Sequence, residues 1–72
     1  MTTQNTGTSN EQYDLVSVLY HALEGAETYQ KYVEDAQQAG DSELADFFQD
    51  AMDQSRQCAD RAKQLLSQRM SQ

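Results

Sequence analysis

Apolar and small residues recur along this chain at alternating steps of four and three, in two separate runs. The first runs through Leu15, Leu19, Ala22, Ala26, Tyr29, Val33 and Ala36. The second runs through Leu44, Phe48, Ala51, Ser55, Cys58, Ala62 and Leu65. Steps that average 3.5 residues return side chains to one helix face and match the repeat of left-handed helix packing. Polar and charged residues fill most positions between. The pattern predicts two amphipathic helices, over about residues 11–39 and 42–69, each ~42 Å long at 1.5 Å per residue.

The boundaries have their own signals. No proline occurs anywhere, and the strongest punctuation is Gly40-Asp41-Ser42. Gly40 suits the left-handed position that ends a helix. Asp41 suits the N-cap of the next helix, and Glu43 then falls in its first turn, where the helix dipole favours a carboxylate. Upstream, Thr8 and Ser9 each precede a Glu or Gln by three residues (Glu11 and Gln12), a capping-box spacing that starts a helix near Asn10 or Glu11. Residues 1–9 are uncharged and lack periodicity, so they are expected to form a disordered tail before a hairpin of residues 10–70.

Val16, Val18, Leu23, Met52, Ala59 and Leu66 widen the two stripes beyond a single seam. A stripe that wide needs more than one neighbour, and a hairpin supplies only one. The second neighbour is expected from another copy, two hairpins related by a two-fold giving a four-helix bundle. The fold class expected is therefore all-α: an antiparallel two-helix hairpin that forms a homodimer. Its dimer core would contain Leu19, Ala22, Tyr29, Phe48, Ser55 and Cys58.

Composition narrows the function classes. A chain of 72 residues makes one small domain, whose core rarely supplies more than ~3–5 kcal/mol without staples or a partner. Cys58 is the only cysteine, which excludes an intramolecular disulfide. Twelve acidic against five basic residues give a net charge of −7. That disfavours nucleic acid, which is held by cations that neutralise phosphates, and it disfavours anionic membrane surfaces. No stretch reads as a signal peptide or a membrane span, so a soluble, cytoplasmic protein is expected.

His21, the only histidine, lies off the stripe and reads as a surface residue. Cys58 reads as a small buried hydrophobe at the centre of the second helix. Gly25 costs ~1 kcal/mol against alanine inside a helix and reads as a mark of close helix approach. Phe47 falls partly outside the seam and is expected to cover a groove between subunits.

Several residues resemble the ferritin-like superfamily, rubrerythrins most closely, over Leu15 to Leu66. That family's first helix carries a glutamate followed by tyrosines seven and ten residues later; Tyr29 and Tyr32 match the tyrosines. Its second helix has an aromatic residue ten positions before the histidine of a Glu-x-x-His pair. Phe48 matches that aromatic, and Cys58-Ala59-Asp60-Arg61 matches the segment that starts at the histidine. In this register the positions of the family's iron ligands hold Ala22, Ser55 and Cys58. Ligands at i and i+3 share one helix face and can share one metal. Alanine donates nothing, serine is a weak neutral ligand, and one thiolate per chain does not make a site.

The resemblance thus implies a ferritin-like four-helix bundle without a conventional di-iron centre. The expected function is a non-catalytic structural or interaction protein with no cofactor. The alternative is a divergent metal-binding or redox protein, with iron held between subunits by Glu24, Glu27, His21 or Cys58. A third possibility is a bundle that grips a small ligand or protein partner through Tyr13, Tyr20, Tyr29 and Tyr32.

Overall fold

The computed structural model describes residues 10–70. The expected tail over residues 1–9, with the capping hydroxyls of Thr8 and Ser9, lies outside the described residues. Two helices, α1 (Asn10–Gln38) and α2 (Ser42–Met70), pack against each other as an antiparallel hairpin. No helix among the described residues is long and apolar enough to cross a membrane.

The turn between them is built by local chemistry. Gly40 adopts φ +73°, a left-handed conformation that costs an L-residue ~1–2 kcal/mol and glycine almost nothing. Two backbone bonds close over it: Gly40 N–H donates to the Gln37 carbonyl at 3.0 Å and Asp41 N–H to the Ala36 carbonyl at 2.9 Å. This is the Schellman arrangement that satisfies the last carbonyls of a helix. Asp41 then caps α2, its Oδ1 accepting from Leu44 N–H at 3.1 Å. One tripeptide therefore ends α1 and starts α2, and this fixes the helices as antiparallel neighbours.

The seam between the helices is lined mostly by alanine. Ala26, Val33 and Ala36 are the buried residues of α1, and all three lie on the stripe expected from the sequence. In α2 the buried residues are Ala45, Met52, Ala59 and Ala62. Three of these four lie one residue beyond the expected positions Leu44, Ala51 and Cys58. Ala62 is on the expected stripe and Phe48 and Ser55 stay half-buried, so the inner side of α2 is turned by about half a residue step, ~50°, from the orientation its largest apolar residues suggest. Ala59 is 1% exposed, whereas Cys58, expected to be buried, is exposed. Small side chains let the two backbones approach closely. The adjacent row with larger residues (Leu44, Cys58 and Leu65) is turned partly outward.

The product is a single layer. The hairpin measures 49 × 23 × 16 Å, with a radius of gyration of 16.0 Å. A compact domain of this length has a radius near 11 Å. Only Met52, 2% exposed, is a large buried side chain in α2. Stable domains bury an apolar face between packed layers, and this chain provides one layer by itself.

Candidate functional site

The two flat sides of the hairpin differ in chemistry. On one side both helices present apolar or small residues next to the seam. From α1 these are Leu15, Val18, Ala22, Gly25, Tyr29 and Tyr32. From α2 they are Leu44, Phe47, Phe48, Ala51, Ser55, Cys58 and Leu65. On the other side α1 contributes Val16 and Leu23, and the α2 row beside the seam is Gln49, Arg56 and Lys63, with exposed Met70 at its end. The first side, the open face, is the one with apolar or small groups along the length of both helices.

Three zones follow one another along the open face. Near the turn stands an aromatic cluster that bridges the helices. Tyr29 and Tyr32 meet edge-on at 5.9 Å, Tyr32 meets Phe48 at 5.4 Å, and Phe48 meets Phe47 at 5.8 Å. Phe47 at the end of this chain of rings is 64% exposed. Beside it Leu44 and Phe47 border a depression shared with Asp41 and Glu43.

The middle zone is a trough of about 450 Å³ whose walls include Ala22, Ser55, Cys58, His21 and Tyr29. Its floor is shallow because the residues are small. A Cβ built on Gly25 would meet Ser55 Oγ at 3.5 Å, an ordinary contact. The third zone, at the open end, is a hollow of about 280 Å³ bordered by Leu15, Val18 and Leu65, with Glu11, Asp14 and Arg69 on its rim.

The structure therefore places Ala22, Ser55 and Cys58 around one trough, although they come from different helices. Of the other residues expected in a dimer core, Tyr29 lines the same trough and Phe48 stands at its turn end. Leu19 is half-buried and does not line it.

The alternative ligand set does not converge within one hairpin. His21 and Cys58 share the trough, and His21 and Glu24 share the depression next to it. The Glu24 carboxylate accepts from the Tyr20 hydroxyl at 3.2 Å, away from the seam, and its backbone carbonyl accepts from Thr28 Oγ1 at 3.0 Å. Glu27 is exposed one position beyond buried Ala26 and lines neither the trough nor its neighbouring depression. Among the described residues no group of three or more His, Cys, Asp or Glu side chains is placed to hold a metal ion.

The tyrosines split into two sets. Tyr29 and Tyr32 belong to the aromatic cluster of the open face. Tyr20 packs edge-on against His21 at 5.5 Å and, like Tyr13, is exposed along the outer side of α1. The four therefore do not form one gripping surface. Phe47, expected partly outside the seam, is exposed on the open face. The Phe47-Phe48 pair sets two rings ~100° apart, one toward the seam and one onto the open face.

No protein-family model, curated protein or solved structure matches this chain.

Proposed function

We propose that this chain is a non-catalytic, ferritin-like interaction module that works as a homodimer without a di-iron centre. The observation that carries this reading is the lining of the central trough. A carboxylate-bridged di-iron site needs several carboxylates and imidazoles converging from facing helices. Ala22 and Ser55 supply no charge, and the Cys58 thiol is a soft ligand suited to other metals. Two such troughs facing each other would bring two thiols, two histidines and no carboxylate from their walls. Small neutral groups at these positions also avoid the desolvation cost of burying carboxylates that no cation balances.

The second element of the reading is the open face. A second hairpin laid on it completes the two-layer packing that one hairpin lacks. It converts the trough into the interior of a four-helix bundle. The dimer, and not either hairpin alone, is then the folded unit, and its outer surface is acidic and available to further partners.

The test is anaerobic Fe(II) loading, followed by desalting, elemental analysis and an oxygen-consumption assay. Iron at background with no oxygen uptake is expected. A stoichiometry of about one or two irons per dimer with oxidase activity would overturn the reading. In that case the set Glu24, Glu27, His21 and Cys58 would be the first to mutate.

A further inference from the structure

One row of α1 changes character halfway along the helix. It runs Tyr13, Val16, Tyr20, Leu23, Glu27, Gln30 and Glu34, at alternating steps of three and four. Toward the turn the row is solvated: Glu27 is exposed, and Gln30 Nε2 donates to Glu34 Oε2 at 3.1 Å. Toward the open end it is apolar, yet Tyr13, Val16, Tyr20 and Leu23 are each at least 45% exposed. These four stand on the outer side of α1 and on the side of the hairpin away from the open face. A second copy seated on the open face leaves them in water.

Across the seam on this side α2 supplies cations. Tyr32 meets Phe48, Ala22 shares the trough with Cys58, and Leu15 borders the hollow with Leu65. The same antiparallel register sets Leu23 level with Arg56 and Val16 level with Lys63. The carboxylates nearest those cations along α2, Asp53 and Asp60, lie one row farther out. Asp53 Oδ1 accepts from Gln49 Nε2 at 3.1 Å. The groove behind the seam thus has one apolar wall and one cationic wall, in a chain of net charge −7.

From these two walls we infer that this side of the hairpin docks an amphipathic helix of a partner protein, with carboxylates along the edge that faces α2. The spacing argues for a helix. Apolar residues at steps of three and four are what a third helix packed along α1 meets, and an exposed stripe of this kind is the usual anchor row of helix recognition. The charge argues for the edge. Arg56 and Lys63 are seven residues apart in one row, ~10.5 Å along α2. Carboxylates at i and i+7 on the partner meet both. Glu27 ends the apolar stripe with a charge, which limits the docked segment to the open half of the hairpin.

This names the partner of the interaction module proposed above. It does not depend on the dimer, because both walls belong to a single hairpin.

The experiment is selection from a displayed library of amphipathic helices about five turns long. Their leucine stripe is fixed, both edges vary among Glu, Gln and Lys, and the bait is the biotinylated full chain. Binders with glutamate at i and i+7 on one edge are the expected result. Arg56→Gln with Lys63→Gln should weaken such a binder about tenfold, the worth of two exposed ion pairs. Tyr20→Ser with Leu23→Ser should weaken it by at least about tenfold while the helicity of the chain is kept. On the natural chain, backbone amide shifts caused by the binder should fall in residues 13–23 and 56–63. Binders with neutral or basic edges, or no binder at all, would overturn the inference. So would amide shifts confined to Tyr32, Phe47 and Phe48, which would move the site to the open face. Sedimentation equilibrium of the Tyr20→Ser, Leu23→Ser variant should give the same mass as the natural chain. A loss of self-association in that variant would mean that a second copy fills this groove, and the inference would fail.

Discussion

Replacing Phe47 by alanine tests whether a partner covers the open face. Phe47 is 64% exposed in the single hairpin, and within it touches mainly the Phe48 ring, at 5.8 Å between centroids. Losing one aromatic pair costs ~0.5–1.5 kcal/mol, which bounds the effect on the hairpin. The effect on a dimer that covers the open face is larger. A phenylalanine has about 200 Å² to bury, so roughly 130 Å² remains for a partner; at ~25 cal/mol per Å² that is ~3 kcal/mol. Alanine retains part of it, leaving a loss of ~2 kcal/mol per copy and ~4 kcal/mol per dimer, or about a thousandfold in the dissociation constant. Incomplete coverage of the ring by half still gives about thirtyfold. The assay is sedimentation equilibrium over a concentration series, with helicity followed by circular dichroism on the same samples. If the dissociation constant moves by less than about threefold, or ~0.65 kcal/mol, Phe47 is not covered and the assignment of the interface to this face is wrong.

Further outcomes follow from the same structure. Met52→Ala should lower unfolding stability by about 2–3 kcal/mol, measured by urea denaturation, because Met52 is the large side chain in the alanine seam; a loss below ~0.5 kcal/mol would show that the seam is not the core. Gly40→Ala should cost ~1–2 kcal/mol through its left-handed backbone alone, since no atom lies within 4 Å of the added Cβ; an unchanged thermal midpoint would refute the Schellman turn. Asp41→Ala should cost ~1 kcal/mol by removing the cap on Leu44 N–H, and Asp41→Asn should restore most of it; equal losses in both would point to charge and not to capping. Because folding and pairing are linked, the thermal midpoint of the natural chain should rise with protein concentration; a midpoint independent of concentration would indicate a hairpin stable on its own.

Much of the fold is legible in the sequence because its signals are local. The steps through Leu15, Leu19, Ala22, Ala26, Tyr29, Val33 and Ala36 identify the inner side of α1, and Gly40-Asp41 identifies the turn. The inner side of α2 is harder to read. Two adjacent rows are both apolar: Ala45, Met52, Ala59 and Leu66 in one, Leu44, Ala51, Cys58 and Leu65 in the other. Hydrophobicity favours the second, because it holds two leucines against one. The hairpin takes the first, because closely packed helices have room for alanine and leave larger groups to a neighbour farther away. Periodicity measures how wide a stripe is but does not say which partner each row meets. For the same reason the open face could be anticipated from stripe width, while its three zones emerged only once the helices were set in register. The grouping of Ala22, Ser55 and Cys58 came from a resemblance, and the structure places them around one trough. The outward position of Glu27 and the Tyr20 bond to Glu24 depend on rotation and rotamer, which spacing does not fix.

The mass of the natural chain in solution, by sedimentation equilibrium without added metal, tests whether a second copy covers the open face. A reversible dimer of twice the 8.2 kDa chain mass is expected, with helicity that falls as dilution dissociates it. A fully helical 8.2 kDa monomer that persists as its concentration is raised would contradict it, since the open face would then be stable in water with nothing covering it.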